Sequence, residues 1–273
     1  MTFAGLLILA AGLFVMAVAS FPLLVRFKAA RHLPQIFSAL RYSNFRWFWI
    51  NGATQAMAQG MQFLVLGLLV LDVTGSSIQL GLVAFIYGAP NLVFSMLGGV
   101  IADRSDRLRL LISTRLGVSV LVLVLAILKI AGLLEIWHVY VIMFLLGTVQ
   151  ALNNPARMAL VADLVERKDM MNAVALHTMV NQSGQIVGPA LAGGIIELAG
   201  TGPALLVNAG LYLTGILFLF LIKDLPPQEP APKATLVGDL LSGLRHIRSA
   251  PVLYTIIGMA VAFTFFAMSY RQV

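Results

Sequence analysis

The hydrophobic pattern of the chain consists of long apolar runs separated by short polar or charged stretches. Six such runs of 20 residues or more follow one another between residues 46 and 222. An α-helix rises about 1.5 Å per residue, so about 20 residues cross the roughly 30 Å hydrocarbon core of a bilayer. The pattern therefore predicts six core membrane helices, at about 46–73, 78–102, 106–130, 136–165, 171–199 and 203–222.

Further segments flank these six helices. Residues 1–25 contain an uncharged run that predicts an extra transmembrane helix, and a cleaved signal peptide is disfavoured because the amino end has no basic residue. The basic segment 26–45 is predicted to lie along the inner membrane surface. After the six-helix block, taken as 46–223, the polar, proline-rich stretch 224–250 predicts a central cytoplasmic loop. The apolar run 251–273 predicts the first helix of a second half.

Composition places the protein in a membrane. Hydrophobic residues make up 60% of the chain and charged residues 11%, whereas soluble domains have about 25% charged residues. When the predicted helices alternate in direction, 16 of the 18 Lys and Arg residues fall on one face, and only Lys129 and Arg271 fall on the other. Because basic residues concentrate in cytoplasmic loops, this face is predicted to be the inner one. The net charge of +7 therefore requires no nucleic-acid partner.

Amide side chains recur at helical spacing in the first, fourth and fifth core helices. Polar side chains inside a membrane are costly unless they face protein or water, so these residues are predicted to line a substrate cavity. The third and sixth helices have few such residues and are predicted to face lipid. Alternatively, each amide forms a hydrogen bond between helices, worth about 0.6–2 kcal/mol. The predicted cavity residues are Asn51, Gln55, Gln59, Gln62, Gln150, Asn154, Asn181 and Gln185.

A short charged turn joins the second and third core helices. Asp106 is predicted to cap the first turn of the third helix. An arginine–carboxylate pair that is partly shielded from water can hold inner helix ends together in one state and release them in another. The alternative is a solvated turn that only sets the topology. The residues predicted to form this conformational gate are Gly99, Asp103, Arg104, Arg107 and Asp163.

The same turn resembles the signature loop between the second and third helices of major facilitator superfamily transporters. The matching positions are a glycine, an acidic residue followed by a basic one, and two further arginines. Asp106 stands where that loop usually has a glycine, and Leu108 separates the last two arginines. The residues that carry the resemblance are Gly99, Asp103, Arg104, Arg107 and Arg109.

A glycine-rich stretch of the fifth core helix resembles a motif of the exporting, antiporter-type members of that superfamily. Small residues four positions apart allow two helices to approach closely. The closing glycine pair is displaced by one position through Ala192. A glycine-packed helix contact without meaning for the direction of transport is the alternative. The motif residues are Gly184, Gly188, Pro189 and Gly193.

Residues 154–169 and the entry to the first core helix look like the branch of the superfamily that contains the enterobactin exporter and macrolide efflux proteins. This resemblance implies an all-α polytopic membrane protein whose six core helices form an N-terminal transporter half of two inverted three-helix repeats. It also implies export of a drug-like or siderophore-like compound by alternating access and proton antiport. The location implied is a bacterial inner membrane, with the N-terminus outside. Unlike drug–proton antiporters, the fourth helix has no arginine just before Gln150, so the resemblance does not identify the proton-coupling residue.

The length of the chain leaves alternatives to an exporter. A transporter of twelve helices needs roughly 400 residues at about 20 per span plus loops, whereas this chain has 273 and is predicted to be truncated. A non-transporting membrane fragment or assembly partner is the first alternative, and a lysophospholipid flippase of the same superfamily is the second. The sequence contains no cysteine, catalytic triad, phosphate-binding loop or metal-ligand cluster. No enzymatic activity, cofactor or metal is therefore predicted.

Overall fold

A computed structural model of the chain describes residues 35–223, together with 225, 258 and 259. The chain divides into two compact units, Met1–Glu229 and Pro230–Val273. In the second unit the described residues, Gly258 and Met259, are helical. The predicted extra helix at 1–25, the start of the basic segment and nearly all of the regions 224–250 and 251–273 lie outside the described residues. The account below concerns the first unit.

The described part of the first unit consists of helices joined by short turns, as predicted. Every boundary of the six predicted core helices agrees with the structure to within three residues. Two short 3-10 helices, η1 and η2, precede α1 and α5. The helices are η1 (Gln35–Arg41), α1 (Ser43–Thr74), α2 (Ser77–Arg104), α3 (Arg107–Ile130), α4 (Ile136–Leu164), η2 (Arg167–Asp169), α5 (Met170–Ala199) and α6 (Thr201–Leu219).

Local sequence signals explain several helix ends. The Asp106 carboxylate accepts hydrogen bonds from the backbone N–H groups of Leu108 at 3.0 Å and Arg109 at 3.1 Å, which confirms the predicted cap of α3. Helix α1 ends at Gly75, whose φ of 62° lies in the left-handed region. A glycine adopts that conformation without the steric cost that other residues incur.

Five of the described helices are long and apolar enough to cross a membrane: α1, α2 within Ser77–Ser95, α3, α4 and α6. The protein is therefore a multi-pass membrane protein. Helix α5 has 30 residues but is not among these five. Its polar residues, including His177, Asn181, Gln182 and Gln185, lower its hydropathy. A helix of this composition is stable in a bilayer only when protein or water satisfies those side chains.

The helix contacts show that α1–α3 and α4–α6 are two equivalent three-helix repeats. Helix α1 packs mainly on α5 and α6, whereas α4 packs mainly on α2 and α3. If α1, α2 and α3 are exchanged with α4, α5 and α6, the contacts of α1 with α5 and α6 become the contacts of α4 with α2 and α3. The contact between α3 and α6 stays the same. Because α1 and α4 cross the bundle in opposite directions, the two repeats are inverted, as predicted.

The buried core consists of two apolar clusters at opposite ends of the bundle. We call the end at which α1 begins the predicted inner end. On α1, buried residues up to Ala56 belong to the cluster at this end, and residues from Ala58 onward belong to the other cluster. Large members at the predicted inner end are Phe45, Phe48, Leu160, Leu176 and Leu219, and at the other end Met61, Val65, Val122, Leu146 and Leu205.

Helices α3 and α6 expose apolar faces, and their contact with lipid stays a prediction. On α3 the exposed residues include Leu116, Val120 and Ile127, and on α6 they include Leu213 and Leu217. The opposite faces of both helices are buried within the bundle and carry polar side chains, among them Arg115 and Ser119 on α3 and Asn208 on α6.

A buried carboxylate attaches η1 to the start of α5. Asp169 accepts a hydrogen bond from the hydroxyl of Ser38 at 2.6 Å and from that of Tyr42 at 2.8 Å. Arg41 forms an ion pair with the same carboxylate. The Ser38 hydroxyl is the largest favourable influence on Asp169, and with Tyr42 and Arg41 it lowers the pKa of this carboxyl to about 2. The cluster fixes the predicted inner end of α5.

We expect Asp169→Asn to lower the free energy of unfolding by about 1–3 kcal/mol at pH 7, because three donors lose a charged acceptor. Since the folded-state pKa is about 2 and the ordinary value is 3.8, this stabilisation is fully present above about pH 4 and is lost as the pH falls toward 2. Denaturant titration of the purified protein at pH 7, 5, 4 and 3 measures the difference between the two proteins.

Glu166→Gln is the matched control for this prediction. Glu166 is exposed and pairs with the exposed Lys168, so its substitution is expected to leave stability nearly unchanged. Equal losses for the two variants, or a difference between Asp169→Asn and wild type that does not narrow below pH 4, would contradict the assigned role of Asp169.

Candidate functional site

A layer of buried polar side chains separates the two apolar clusters. We call these seven residues, contributed by α1, α3 and α4, the polar layer. Each of them is 6% exposed or less. In hydrocarbon or a dry protein interior such groups are stable only when they are hydrogen-bonded. The polar layer consists of Asn51, Thr54, Gln55, Thr114, Arg115, Asn153 and Arg157.

Asn153 is the centre of the hydrogen bonds in this layer. Its side-chain oxygen accepts from Gln55 Nε2 at 3.2 Å and from Arg157 Nη2 at 2.9 Å. Its side-chain nitrogen donates to Thr114 Oγ1 at 3.0 Å. One amide thus connects side chains of α1, α3 and α4, and both its donor and its acceptor atoms are used.

Arg115 is buried in the layer among neutral groups. Its Nη2 atom donates to Gln55 Oε1 at 2.6 Å and to the backbone oxygen of Asn51 at 3.2 Å. Its Nη1 atom is buried and has no partner in the described part of the chain. Gly215 of α6 leaves the space that this guanidinium fills, because a Cβ atom there would lie 2.9 Å from Arg115 Cζ and 2.7 Å from Thr54 Oγ1.

Three of the predicted cavity residues lie inside the bundle. Asn51 donates to the backbone oxygen of Gly215 at 2.7 Å, and Gln55 belongs to the polar layer. Gln62 is 9% exposed and accepts a hydrogen bond from the Tyr212 hydroxyl at 2.8 Å. These are the helix-to-helix hydrogen bonds that the sequence left open as the alternative. Contact of these three residues with a substrate stays a prediction.

The other five predicted cavity residues lie at the surface of this unit. Gln59, Gln150 and Asn181 are half-buried, and Asn154 and Gln185 are exposed. Gln150 donates to Asn154 at 3.0 Å along α4. Asn181 donates to the backbone oxygen of His177 at 3.0 Å. All five side chains are accessible to a ligand, but in hydrocarbon their unbonded donor and acceptor atoms would lack partners.

The glycine-rich stretch of α5 packs directly on the backbone of α1. A Cβ atom on Gly184 would lie 2.5 Å from the backbone carbon of Ala56, and one on Gly188 would lie 2.6 Å from the backbone nitrogen of Met61. Across the same contact, a Cβ atom on Gly60 would lie 3.0 Å from Pro189 Cδ. At Gly193 a Cβ atom would have no neighbour within 4 Å. Three of the four motif residues therefore contact α1, and Gly193 does not contribute to close packing.

The contact between α2 and α4 has a similar construction. A Cβ atom on Gly147 would lie 2.9 Å from Pro90 Cγ, as one on Gly60 meets Pro189 in the α1–α5 contact. Gly98 of α2 packs against the backbone of Ala151. In each pair a glycine in the first helix of one repeat faces a proline in the second helix of the other.

Two of the predicted gate residues, Asp163 and Asp103, lie beside Arg107 at the predicted inner end. Arg107 Nη1 donates to both carboxylate oxygens of Asp163, at 2.8 and 2.7 Å, and joins the start of α3 to the end of α4. Arg107 Nη2 lies 3.9 Å from Asp103, whose side chain is 69% exposed. Arg104 is exposed at the last residue of α2. A Cβ atom on Gly99 would meet no atom within 4 Å, so the close helix approach in this region is made by Gly98.

Comparison with known proteins identifies the family of this chain. The family model described as transmembrane secretion effector, a group within the major facilitator superfamily, matches residues 35–272. The chain belongs to this family. It is 25% identical over 195 residues to the uncharacterized MFS-type transporter YfiS of Bacillus subtilis, a match that covers 70% of this chain and 46% of YfiS.

Two further relatives are named as enterobactin exporters. The chain is 31% identical over 193 residues to EntS of Shigella flexneri, covering 69% of this chain and 46% of that protein. It is 30% identical over 184 residues to EntS of Citrobacter koseri, covering 66% of this chain and 43% of that protein. The chain therefore spans about half the length of the curated relatives it matches.

Sequence reasoning placed Arg157 on the polar side of the fourth helix with Gln150, Asn153 and Asn154, but it missed Arg115 and the burial of both arginines in one layer. Both were counted among the basic residues on or near the inner face. Their depth was the available signal, because Arg115 lies eight residues into α3 and Arg157 seven residues before the end of α4. At about 1.5 Å per residue these positions are about 10–12 Å from the helix ends.

Within 35–223, no three His, Asp or Glu side chains are grouped as a metal site would require.

Proposed function

We propose that this chain forms the N-terminal half of a secondary transporter that exports a small organic molecule across a bacterial inner membrane. The observation that carries the proposal is the set of five accessible amides on α1, α4 and α5. In lipid the donor and acceptor atoms of these amides that are not bonded within the unit would lack partners, so they favour a wet surface that faces a second half. The names of the relatives support export, and proton antiport with alternating access is part of the proposal.

The ion pair between Arg107 and Asp163 is proposed to act as the conformational gate. It is partly shielded, since the two side chains are 21% and 23% exposed. A charge-assisted pair of this kind can stabilise one state by about 1–3 kcal/mol and is lost when the helix ends separate. Asp103, which lies farther from Arg107 and is more exposed, is available to a helix of a second half.

Efflux from intact cells tests the proposed function. The full chain is expressed in a bacterial strain that lacks its main efflux pumps, and accumulation of a panel of fluorescent organic compounds is measured. At least one compound is expected to accumulate several-fold less than in cells with empty vector, and a protonophore is expected to remove the difference. No change for any compound would favour a non-transporting fragment or assembly partner. Outward transfer of a labelled lysophospholipid alone would favour the flippase.

In the same assay we expect Asp163→Asn to reduce the efflux rate at least tenfold, because Arg107 loses its closest carboxylate in the closed state. Asp103→Asn is expected to reduce efflux as well. Glu166→Gln removes a nearby exposed carboxylate and should leave efflux within about twofold of wild type. Unchanged efflux in both aspartate variants would show that these charges only set the topology.

A further inference from the structure

The interior of the described bundle contains positive charge and no compensating carboxylate. Every described Asp and Glu lies within two residues of a helix end or in a turn between helices. Arg115 and Arg157, by contrast, lie well inside α3 and α4 and are 2% and 6% exposed. Neither arginine forms an ion pair with a described carboxylate.

The hydrogen-bond partners of these two arginines are all neutral. Arg115 donates to Gln55 and to a backbone oxygen, and Arg157 donates to Asn153. One nitrogen of Arg115 is buried and has no described partner. Amides orient a guanidinium but do not cancel its charge. An uncompensated charge at this depth is costly, and its field is weakly screened because little water surrounds it.

The accessible surface of α4 is close to this charge. Arg157 lies three residues after the exposed Asn154 on the same helix, which is a rise of about 5 Å. Gln150, one turn before Asn154, donates a hydrogen bond to it. A ligand that binds these two amides therefore lies close to the turn of α4 that carries the Arg157 guanidinium.

We infer that the accessible amide surface beside Arg157 binds organic anions in preference to neutral or cationic molecules of the same shape. This inference rests on the proposed transport function and specifies its substrate class. A carboxylate or phosphate group on the ligand supplies the negative charge that the described helices lack. A cationic ligand is repelled by the buried Arg157 guanidinium beside this surface.

The alternative is that the two arginines serve only to hold α1, α3 and α4 together. In that case a carboxylate elsewhere cancels their charge, and ligand charge does not affect binding. Arg157→Lys and Arg157→Gln separate the two cases, because both change the hydrogen bond to Asn153 but only the second removes the charge. Arg109→Gln is the control, since Arg109 is 88% exposed at the predicted inner end.

Three naphthalene probes of similar shape test the inference on the purified full chain in nanodiscs of zwitterionic lipid. The probes are 2-naphthoate, 2-naphthamide and 2-naphthylmethylamine, which at pH 7.5 are anionic, neutral and cationic. Probe fluorescence is titrated against protein-loaded and empty nanodiscs. We expect 2-naphthoate to bind about tenfold more tightly than the amide, and the amine to bind most weakly.

The variants give a second, independent measurement. Arg157→Lys and Arg109→Gln should retain the preference for 2-naphthoate, and Arg157→Gln should reduce it to within about twofold of the amide. Three results with the wild-type protein alone overturn the inference. They are equal binding of the three probes, tightest binding of the amine, and no binding of any probe. A fall in binding of all three probes by the same factor in Arg157→Gln also overturns it, because that pattern indicates a structural role.

Failure of this inference is distinguishable from failure of the proposed function. Efflux of a neutral or cationic dye from cells expressing the full chain, with no binding preference for 2-naphthoate, rejects the anion site and retains the exporter. Absence of efflux for every dye rejects the exporter itself.

Discussion

Replacing Gly188 with alanine is expected to lower the free energy of unfolding by about 2 kcal/mol and to abolish efflux. The new Cβ atom would lie 2.6 Å from the backbone nitrogen of Met61 and 3.0 Å from the backbone carbon of Gly60. Backbone atoms cannot rotate away as a flexible side chain can, so α1 and α5 must separate. Such overpacking costs about 1–3 kcal/mol or more, and alanine recovers at most about 1 kcal/mol of helix propensity.

Gly193→Ala is the matched control for Gly188→Ala. It lies in the same motif and the same helix, but a Cβ atom there would have no neighbour within 4 Å. This variant is expected to be more stable than wild type by about 0.5–1 kcal/mol, because alanine favours the helix. The two substitutions therefore have opposite expected signs. Denaturation of the purified protein measures both, and a loss of similar size at the two glycines would refute the packing account.

Asn153→Leu is expected to lower the free energy of unfolding by about 3 kcal/mol. Leucine removes the acceptor for Gln55 and Arg157 and the donor to Thr114. The bonds to Gln55 and Thr114 run between helices, where such bonds are worth about 0.6–1.7 kcal/mol each, so these two account for much of this value. The Arg157 guanidinium left without its partner adds to the loss.

The substitution Asn154→Leu at the next position tests whether the loss of stability depends on the side chain pointing into the bundle. Asn154 is exposed and hydrogen-bonds to Gln150 within its own helix, so the expected change in stability is below about 0.5 kcal/mol. If Asn154 contacts the substrate as proposed, this variant raises the KM for efflux instead. Unfolding titrations of both variants, with efflux kinetics for Asn154→Leu, provide the comparison. Equal destabilisation by the two substitutions would contradict the role of Asn153 as the centre of the hydrogen bonds in the polar layer.

The adjacent residues Asn153 and Asn154 show what the sequence predicts and what it does not. The spacing of Gln150, Asn153 and Asn154 correctly indicated a polar side of the fourth helix. Adjacent residues on a helix are about 100° apart, so one amide can be buried while the next is exposed. Only the positions of α1 and α3 decide that Asn153 is the buried one.

The glycines require the same distinction. The sequence motif includes Gly184, Gly188 and Gly193 without ranking them, and the charged loop includes Gly99. In the structure Gly184, Gly188 and Gly98 contact the backbone of another helix, whereas Gly99 and Gly193 do not. A one-residue shift changes which side of a helix faces its neighbour, and sequence alone does not specify where that neighbour lies.

By itself the sequence determined the helix boundaries, the membrane location and the cap at Asp106, because these depend on hydrophobicity and hydrogen bonds between residues close in the chain. It also indicated the family, through short charged and glycine-rich motifs. Tertiary structure alone decided which amides bond between helices, which glycines permit contact, and that two arginines share a buried layer. Those properties depend on pairs of atoms far apart in the chain, and only helix packing brings such atoms together.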